Sequence, residues 1–291
     1  MTPTPHYKTL VDRPTTNPVS ERSTPPKVVD AILVAARRPG TYIGHAREFV
    51  SVARCVAHYP MGLVSPPVVR RAEGAAEQAP VLLVHGYGHN RSGWFVLERH
   101  LAKAGFGHVD ALNYSPLRHD VPELAEQLAR RVERLRADSG AERVHLVGHS
   151  LGGLVVRWYV QELGGDATVD RAVTIATPHQ GTVAAFAAPG RTAEELRPGS
   201  WVMRRLADGA RPSPVRWVAY YSNVDLLVQP ASSAMLTHPA LAATNVLAKD
   251  HGHLSLMLSP WLSRSVVQHL QGSTADRSAA DEVELRRAAA S

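Results

Sequence analysis

Val144-His145-Leu146-Val147-Gly148-His149-Ser150-Leu151-Gly152-Gly153 joins a short apolar run to Gly-x-Ser-x-Gly, and Leu154, Val155, Trp158 and Tyr159 follow at amphipathic spacing. The stretch reads as a buried strand, a tight turn and a helix. Gly148-x-Ser150-x-Gly152 is the elbow pattern that presents a serine nucleophile at the tip of a strand-to-helix turn. Strand and helix backbones crowd there, so the positions two places either side of the serine must lack bulk, and both are glycine. Ser150 also falls at a helix N-terminus, where free N–H groups and the helix dipole favour negative charge on a bound acyl oxygen. An inert serine in a structural turn would show the same five letters. The flanking strand and helix are what favour the catalytic reading.

Upstream of the elbow, Val81-Leu82-Leu83-Val84 is an unbroken apolar run of the kind buried on both faces of a parallel sheet. Further strands are expected over residues 109–114, 143–148, 169–176, 215–221 and 245–248. Helices are expected over 92–104, 121–137, from the elbow to about 164, and 260–270. This alternation predicts an α/β fold: a mostly parallel sheet of about six strands, helices on both faces and right-handed crossovers. The rhythm breaks between Thr177 and Pro214, and an insertion there should lie over the carboxyl edge of the sheet, where ligands bind. It is expected to be a lid of about residues 178–214 within one domain spanning 80–271.

Before that domain, residues 1–26 are rich in Pro and Thr and are expected to be disordered. Residues 27–79 should form a helical extension and linker. One helix is predicted over 27–38, ended by Pro39-Gly40, and a second over 46–59 with Phe49, Val52, Ala53 and Val56 on one face. These helices would either cap the main domain or lie on a membrane interface with Arg37, Arg38, Arg47 and Arg54 on the polar side, packing being favoured. Residues 272–291 read as a polar, Ala-rich tail. Neither a secretory signal nor an apolar run of membrane-spanning length is legible, so the expectation is a cytoplasmic or peripheral membrane protein, with secretion left open.

The 291 residues are 44% hydrophobic, enough for a sizeable core, and carry a formal charge of +6. A sequence pI near 9.7 raises nucleic acid as a partner, but the basic residues are scattered and form no dense run, so none is expected. The single cysteine, Cys55, excludes an internal disulfide and a cysteine-rich metal site, and its apolar neighbours predict a buried, inert thiol.

A serine hydroxyl needs a base within hydrogen-bond reach, itself oriented by an acid, and in this architecture acid then histidine follow the serine. His251 and His253 share the loop after the last expected strand. His253 is preferred because Gly252 precedes it and Leu254, Leu256 and Met257 would anchor its loop. Asp225, just past a strand and followed by Leu226-Leu227-Val228, is the acid of choice over Asp208 in the insertion and Asp250 beside the histidines. A solvated turn aspartate is its plainer reading. The oxyanion requires backbone N–H donors, one from Leu151 and the other from the loop after the first apolar strand, most simply Tyr87 in His85-Gly86-Tyr87-Gly88. His85 is expected to brace that loop. His179, in Thr177-Pro178-His179-Gln180-Gly181-Thr182, reads as a loop-structuring residue in preference to a metal ligand.

With these residues in place, the chain resembles the α/β-hydrolase family, and within it the bacterial triacylglycerol lipases and related esterases. The similarity covers about residues 80–270 and lies in the His85-Gly86 loop, in Gly148-His149-Ser150-Leu151-Gly152-Gly153, in Thr177-Pro178-His179 to Gly181-Thr182, in Asp225 before Val228, and in Gly252-His253-Leu254. It implies Ser150 as nucleophile, Asp225 as acid, His253 as base, and Tyr87 with Leu151 as oxyanion donors. The expected activity is hydrolysis of lipid or acyl esters without a cofactor or metal. A thioesterase or acyltransferase with the same triad is the alternative, and a non-catalytic hydrolase fold used for binding is the rival of another class. Peripheral membrane contact through the N-terminal helices is a further expectation.

Overall fold

The computed structural model describes residues 39–63 and 78–272. The disordered segment, the helix over 27–38 and the tail after Gly272 expected from sequence lie outside them. Strands β1 (Val81–Val84), β2 (Val109–Leu112), β3 (Val144–His149), β4 (Val169–Ile175), β5 (Arg216–Tyr221) and β6 (Thr244–Leu247) form one sheet in the order β2-β1-β3-β4-β5-β6. Every pairing is parallel, with Leu83 opposite both Ala111 and Val147, and Val173 opposite Val218. The strands thus lie within a residue or two of their expected positions.

Helices cover both faces because the central strands, β1 and β3 above all, are buried on both. Val81 and Leu83 point into one core with Trp94 and with Leu97 and Leu101 of α2 (Phe95–Lys103). Leu262, Val266 and Leu270 of the carboxyl-terminal helix (Pro260–Gln271) complete that core. Leu82 and Val84 point into the other core with Leu124, Leu128 and Val132 of α3 (Val121–Ser139) and with Leu154 and Trp158 of α4 (Leu151–Glu162). Helix α3 begins on a capping box, in which Asp120 accepts from the Glu123 N–H and Glu123 accepts from the Asp120 N–H, and it ends at Gly140 in the left-handed conformation.

The insertion carries α5 (Arg191–Glu195) and α6 (Trp201–Asp208). It is tied to the loop before α3: the Val121 N–H donates to Glu195 Oε2 at 2.7 Å, Thr192 Oγ1 donates to the Pro116 carbonyl at 2.7 Å, and Arg191 pairs with Asp120 at 2.8 Å. Taken in chain order, the carboxyl-terminal helix is α7.

The N-terminal segment departs from expectation. Helix α1 runs Pro39–His58, so Pro39 opens a helix where it was expected to end one. The first turn is the position at which proline's missing N–H costs nothing and its fixed φ is already helical. Its apolar stripe faces outward: Phe49 is 77% exposed and Val56 68%, while Ser51 and Cys55 are buried. Cys55 is the buried thiol expected, its pKa raised to about 11 by burial and by the nearby Glu48 charge, against a smaller opposing effect of Arg54. Among the described residues no helix is long and apolar enough to cross a membrane.

Candidate active site

In this strand order the chain reverses direction between β1 and β3, and the loops that leave their carboxyl ends diverge to open a crevice. His85-Gly86-Tyr87-Gly88 leaves β1 there, and Ser150 sits between β3 and α4. Ser150 has φ 53° and ψ −123°, outside the ordinary regions for a side chain of its kind, and its N–H is held by the Ile175 carbonyl at 2.8 Å. The two glycines are needed for contact. A Cβ on Gly148 would meet the Gly152 backbone at 2.6 Å, and one on Gly152 would meet the Val84 carbonyl oxygen at 2.1 Å. Gly86 is as close to the serine, since a Cβ there would lie 2.9 Å from Ser150 Cβ.

Asp225 follows β5 and is buried. Its Oδ1 accepts from the N–H groups of Leu227 and Val228 at 2.8 and 2.9 Å, and its Oδ2 lies 2.8 Å from His253 Nδ1. Because the carboxylate can only accept, Nδ1 carries the proton of the neutral ring, leaving Nε2 as the free base. Burial drives the His253 pKa down, but the charge and hydrogen bond of Asp225, with the charge of Glu48, outweigh it and the net shift is upward.

The elbow approaches this pair through His149, the residue before Ser150. The His149 ring lies 4.7 Å from that of His253, and His149 Nε2 donates to the His253 carbonyl at 3.2 Å. Burial and the neighbouring histidines His253 and His89 hold His149 well below the ordinary imidazole pKa, so it is a neutral strut. The structure therefore brings Asp225 and His253 into direct contact and sets the residue before Ser150 against the same histidine. Tyr87 follows β1 in the loop beside the elbow, and Leu151 is the first residue of α4.

His85 and His179 make supporting contacts of the kind expected of them, and His251 makes others. His85 Nε2 accepts from the Tyr114 N–H at 3.3 Å, its Nδ1 donates to the Gly86 carbonyl at 2.9 Å, and its ring stacks on Tyr114. Burial lowers its pKa to about 4, so it braces the loop as a neutral ring. His251 ties the turn after β6 together through the Lys249 carbonyl and Ser259. His179 Nε2 lies 3.0 Å from Thr174 Oγ1, and its carbonyl accepts from the buried Arg157, which also holds the Leu206 carbonyl at 2.8 Å. No group of three or more metal-ligating side chains occurs among the described residues.

Sequence reasoning missed several members of the site. From sequence His149 is only part of the turn, and its place next to the serine is the one signal of its role. Thr182 was noted but given no task; its hydroxyl donates to the Leu227 carbonyl and accepts from the Gln229 N–H, closing the acid's loop. Glu48 of α1 was missed entirely, though it is the sole acid of that helix.

Comparison with known proteins agrees with this architecture. A sequence profile of the Alpha/beta hydrolase family matches residues 81–291. A triacylglycerol lipase of Burkholderia plantarii is 34% identical over 126 residues, 40% of this chain and 34% of that protein. Another from Pseudarthrobacter phenanthrenivorans is 34% identical over 116 residues, 37% and 35% of the two chains. The matches thus span about a third of the length of these relatives. Among solved structures, Aspergillus fumigatus lipase B superposes with a TM-score of 0.59 at 22% identity, covering 69% of this chain and 55% of that one. Bacillus licheniformis lipase BlEst2 in mature form gives 0.57 at 19% identity, covering 70% and 95%. At those identities the two structures speak to the fold alone. The profile match, extending over most of the chain, makes this protein a member of the alpha/beta hydrolase family.

Proposed function

We propose that the protein is a serine hydrolase of carboxylic esters, with lipid or acyl esters as its substrate class. The observation that carries this reading is the 2.8 Å contact between Asp225 and His253 Nδ1, buried at the crevice beside the elbow serine. In this scheme His253 Nε2 takes the Ser150 proton as Oγ attacks the ester carbonyl, and Asp225 stabilises the imidazolium that forms. The Tyr87 and Leu151 N–H groups bind the oxyanion, the second helped by its place at the start of α4. Collapse of the tetrahedral intermediate expels the alcohol, protonated by His253, and leaves an acyl-enzyme. Water deprotonated by His253 then attacks it, releasing the acid and restoring Ser150.

The substrate class rests on the relatives, whose names are those of triacylglycerol lipases, and on the exposed apolar residues Phe49, Val52, Val56, Met61 and Leu63 of the N-terminal segment. That stripe, with Arg47 and Arg54 on the same helix, also supports peripheral contact with a lipid surface. The test is hydrolysis of p-nitrophenyl esters of graded acyl length by wild type and Ser150→Ala. Activity that rises with acyl length and disappears in the variant supports the reading. Undiminished hydrolysis by a folded Ser150→Ala protein would sink it.

A further inference from the structure

We propose that Glu48 of α1 is a positioning residue for His253: its carboxylate holds the turn that follows the histidine and makes the N-terminal helix a working part of the active site. The inference rests on the reading of His253 as the catalytic base.

The contact has the form of a charge-assisted clamp. The Leu254 N–H donates to Glu48 Oε1 and the Ser255 N–H to Glu48 Oε2, each at 2.8 Å. Gly252, immediately before His253, leaves room for it, since a Cβ there would lie 2.3 Å from Glu48 Oε2. The backbone on both sides of His253 is thus shaped around this one carboxylate. The same helix approaches the acid's loop, where a Cβ on Gly44 would meet Val224 Cγ2 at 2.8 Å, one residue before Asp225. Arg47 adds a bond to the Asp250 carbonyl at 3.3 Å.

What seats the helix is equally telling. Its hydrophobic stripe is turned to the outside, with Phe49 77% exposed, and the edge that packs carries Gly44, Glu48, Ser51 and Cys55. Apolar burial therefore does little to hold α1 at this place, and the Glu48 clamp is a main attachment to the histidine loop.

Four titratable groups face His253: Asp225 from the loop after β5, Glu48 from α1, His149 from the end of β3 and His89 from the loop after β1. The two carboxylates favour the imidazolium, while burial opposes it and the two neighbouring rings are themselves held below the ordinary imidazole value. Removing the Glu48 charge therefore lowers the His253 pKa, and the acid limb of kcat/KM moves to lower pH. Loss of the clamp also frees the ring to wander, which lowers kcat by about 10- to 100-fold.

The experiment uses the full chain as wild type, Glu48→Gln, Glu48→Ala, Gly252→Ala and the Glu48→Ala/Gly252→Ala double variant. Folding is checked by circular dichroism, and kcat and KM are measured against pH on a short acyl ester. The expected result is a fall in kcat exceeding any change in KM for Glu48→Ala and Gly252→Ala. The double variant should be no worse than Glu48→Ala, because both substitutions remove the same contact. Both Glu48 variants should also show the acid limb at lower pH. Folded Glu48→Ala with wild-type kcat, or an acid limb that stays in place in both Glu48 variants, overturns the inference. NMR titration of the His253 ring in wild type and Glu48→Gln reads the same shift without turnover and covers a Glu48→Ala protein that fails to fold. Wild type lacking Ser150-dependent hydrolysis would instead refute the proposed activity, and the NMR titration would still decide whether Glu48 governs His253.

Discussion

At His253 burial and its two carboxylate neighbours pull in opposite directions, and the carboxylates prevail. Ester hydrolysis needs the ring neutral, so activity should fall as pH drops through a midpoint above the ordinary imidazole value of 6.5. A kcat/KM profile would show this directly, and a midpoint below 6.5 would contradict it. Asp225 also fixes the tautomer. Asn in its place can turn its amide toward Nδ1, which moves the ring proton to Nε2 and removes the base. Asp225→Asn should lose activity on the order of 10³- to 10⁴-fold while leaving fluorophosphonate-accessible serine geometry largely intact. Both Asp225 and His253 could be chosen from the sequence because each follows a strand in the required order. The contacts of His149 with His253 and of Glu48 with the turn after it could not, since those partners lie 104 residues from His253 in one case and 206 residues from Leu254 in the other.

The elbow element works only if two backbones touch. Gly152→Ala would drive a methyl group into the Val84 carbonyl, 2.1 Å away, with no flexible side chain to give way. The expected cost is about 3 kcal/mol or more, read as a lower urea midpoint or as failure to accumulate folded protein. Arg157 of α4 serves the next layer, holding the His179 and Leu206 carbonyls from a buried position. Arg157→Met should cost roughly 1.5–3 kcal/mol for the lost bonds to a charged donor, checked by chemical denaturation. Strands and core helices were legible because burial on one or both faces leaves a periodic apolar trace, as in Val81–Val84 and Val121–Ser139. The helix expected over 46–59 is present within α1, but its docking face is not legible from such a trace. Phe49, Val52 and Val56 form a trace like that of a core helix, yet the helix docks through a glycine, an acid, a serine and a cysteine whose partners are distant in sequence.

Across the whole molecule, buried histidines set the response to acid. Burial lowers His85 and His145 to about 4, and holds His149 and His179 well below their ordinary value. In the unfolded chain each would bind a proton near pH 6.5, so below that pH the unfolded state holds more protons and stability falls. The loss runs from about pH 6.5 towards pH 4 and totals on the order of several kcal/mol. His253, with its raised pKa, works the other way and offsets only part of it. Urea midpoints measured between pH 7 and pH 4 should fall steadily, and midpoints independent of pH would contradict the burial of these rings. A mostly parallel sheet of about six strands, with the serine between a strand and the helix after it, was open to sequence reasoning, because six apolar runs alternate with amphipathic segments; the strand order was not. The seating of α1 was not, since it is held by individual polar contacts with no periodic signature, whereas residues 177–214 add to such contacts an apolar face of Val202, Met203 and Leu206 packed on the core.

Whether Ser150 is a nucleophile activated by His253 is decided by reaction of the full chain with a fluorophosphonate, followed by mass spectrometry of the labelled peptide. One adduct per molecule on Ser150, formed faster as pH rises through the His253 midpoint and absent in Ser150→Ala, is the result expected. A folded wild-type protein that takes no label, or takes it at another serine, would contradict the assignment.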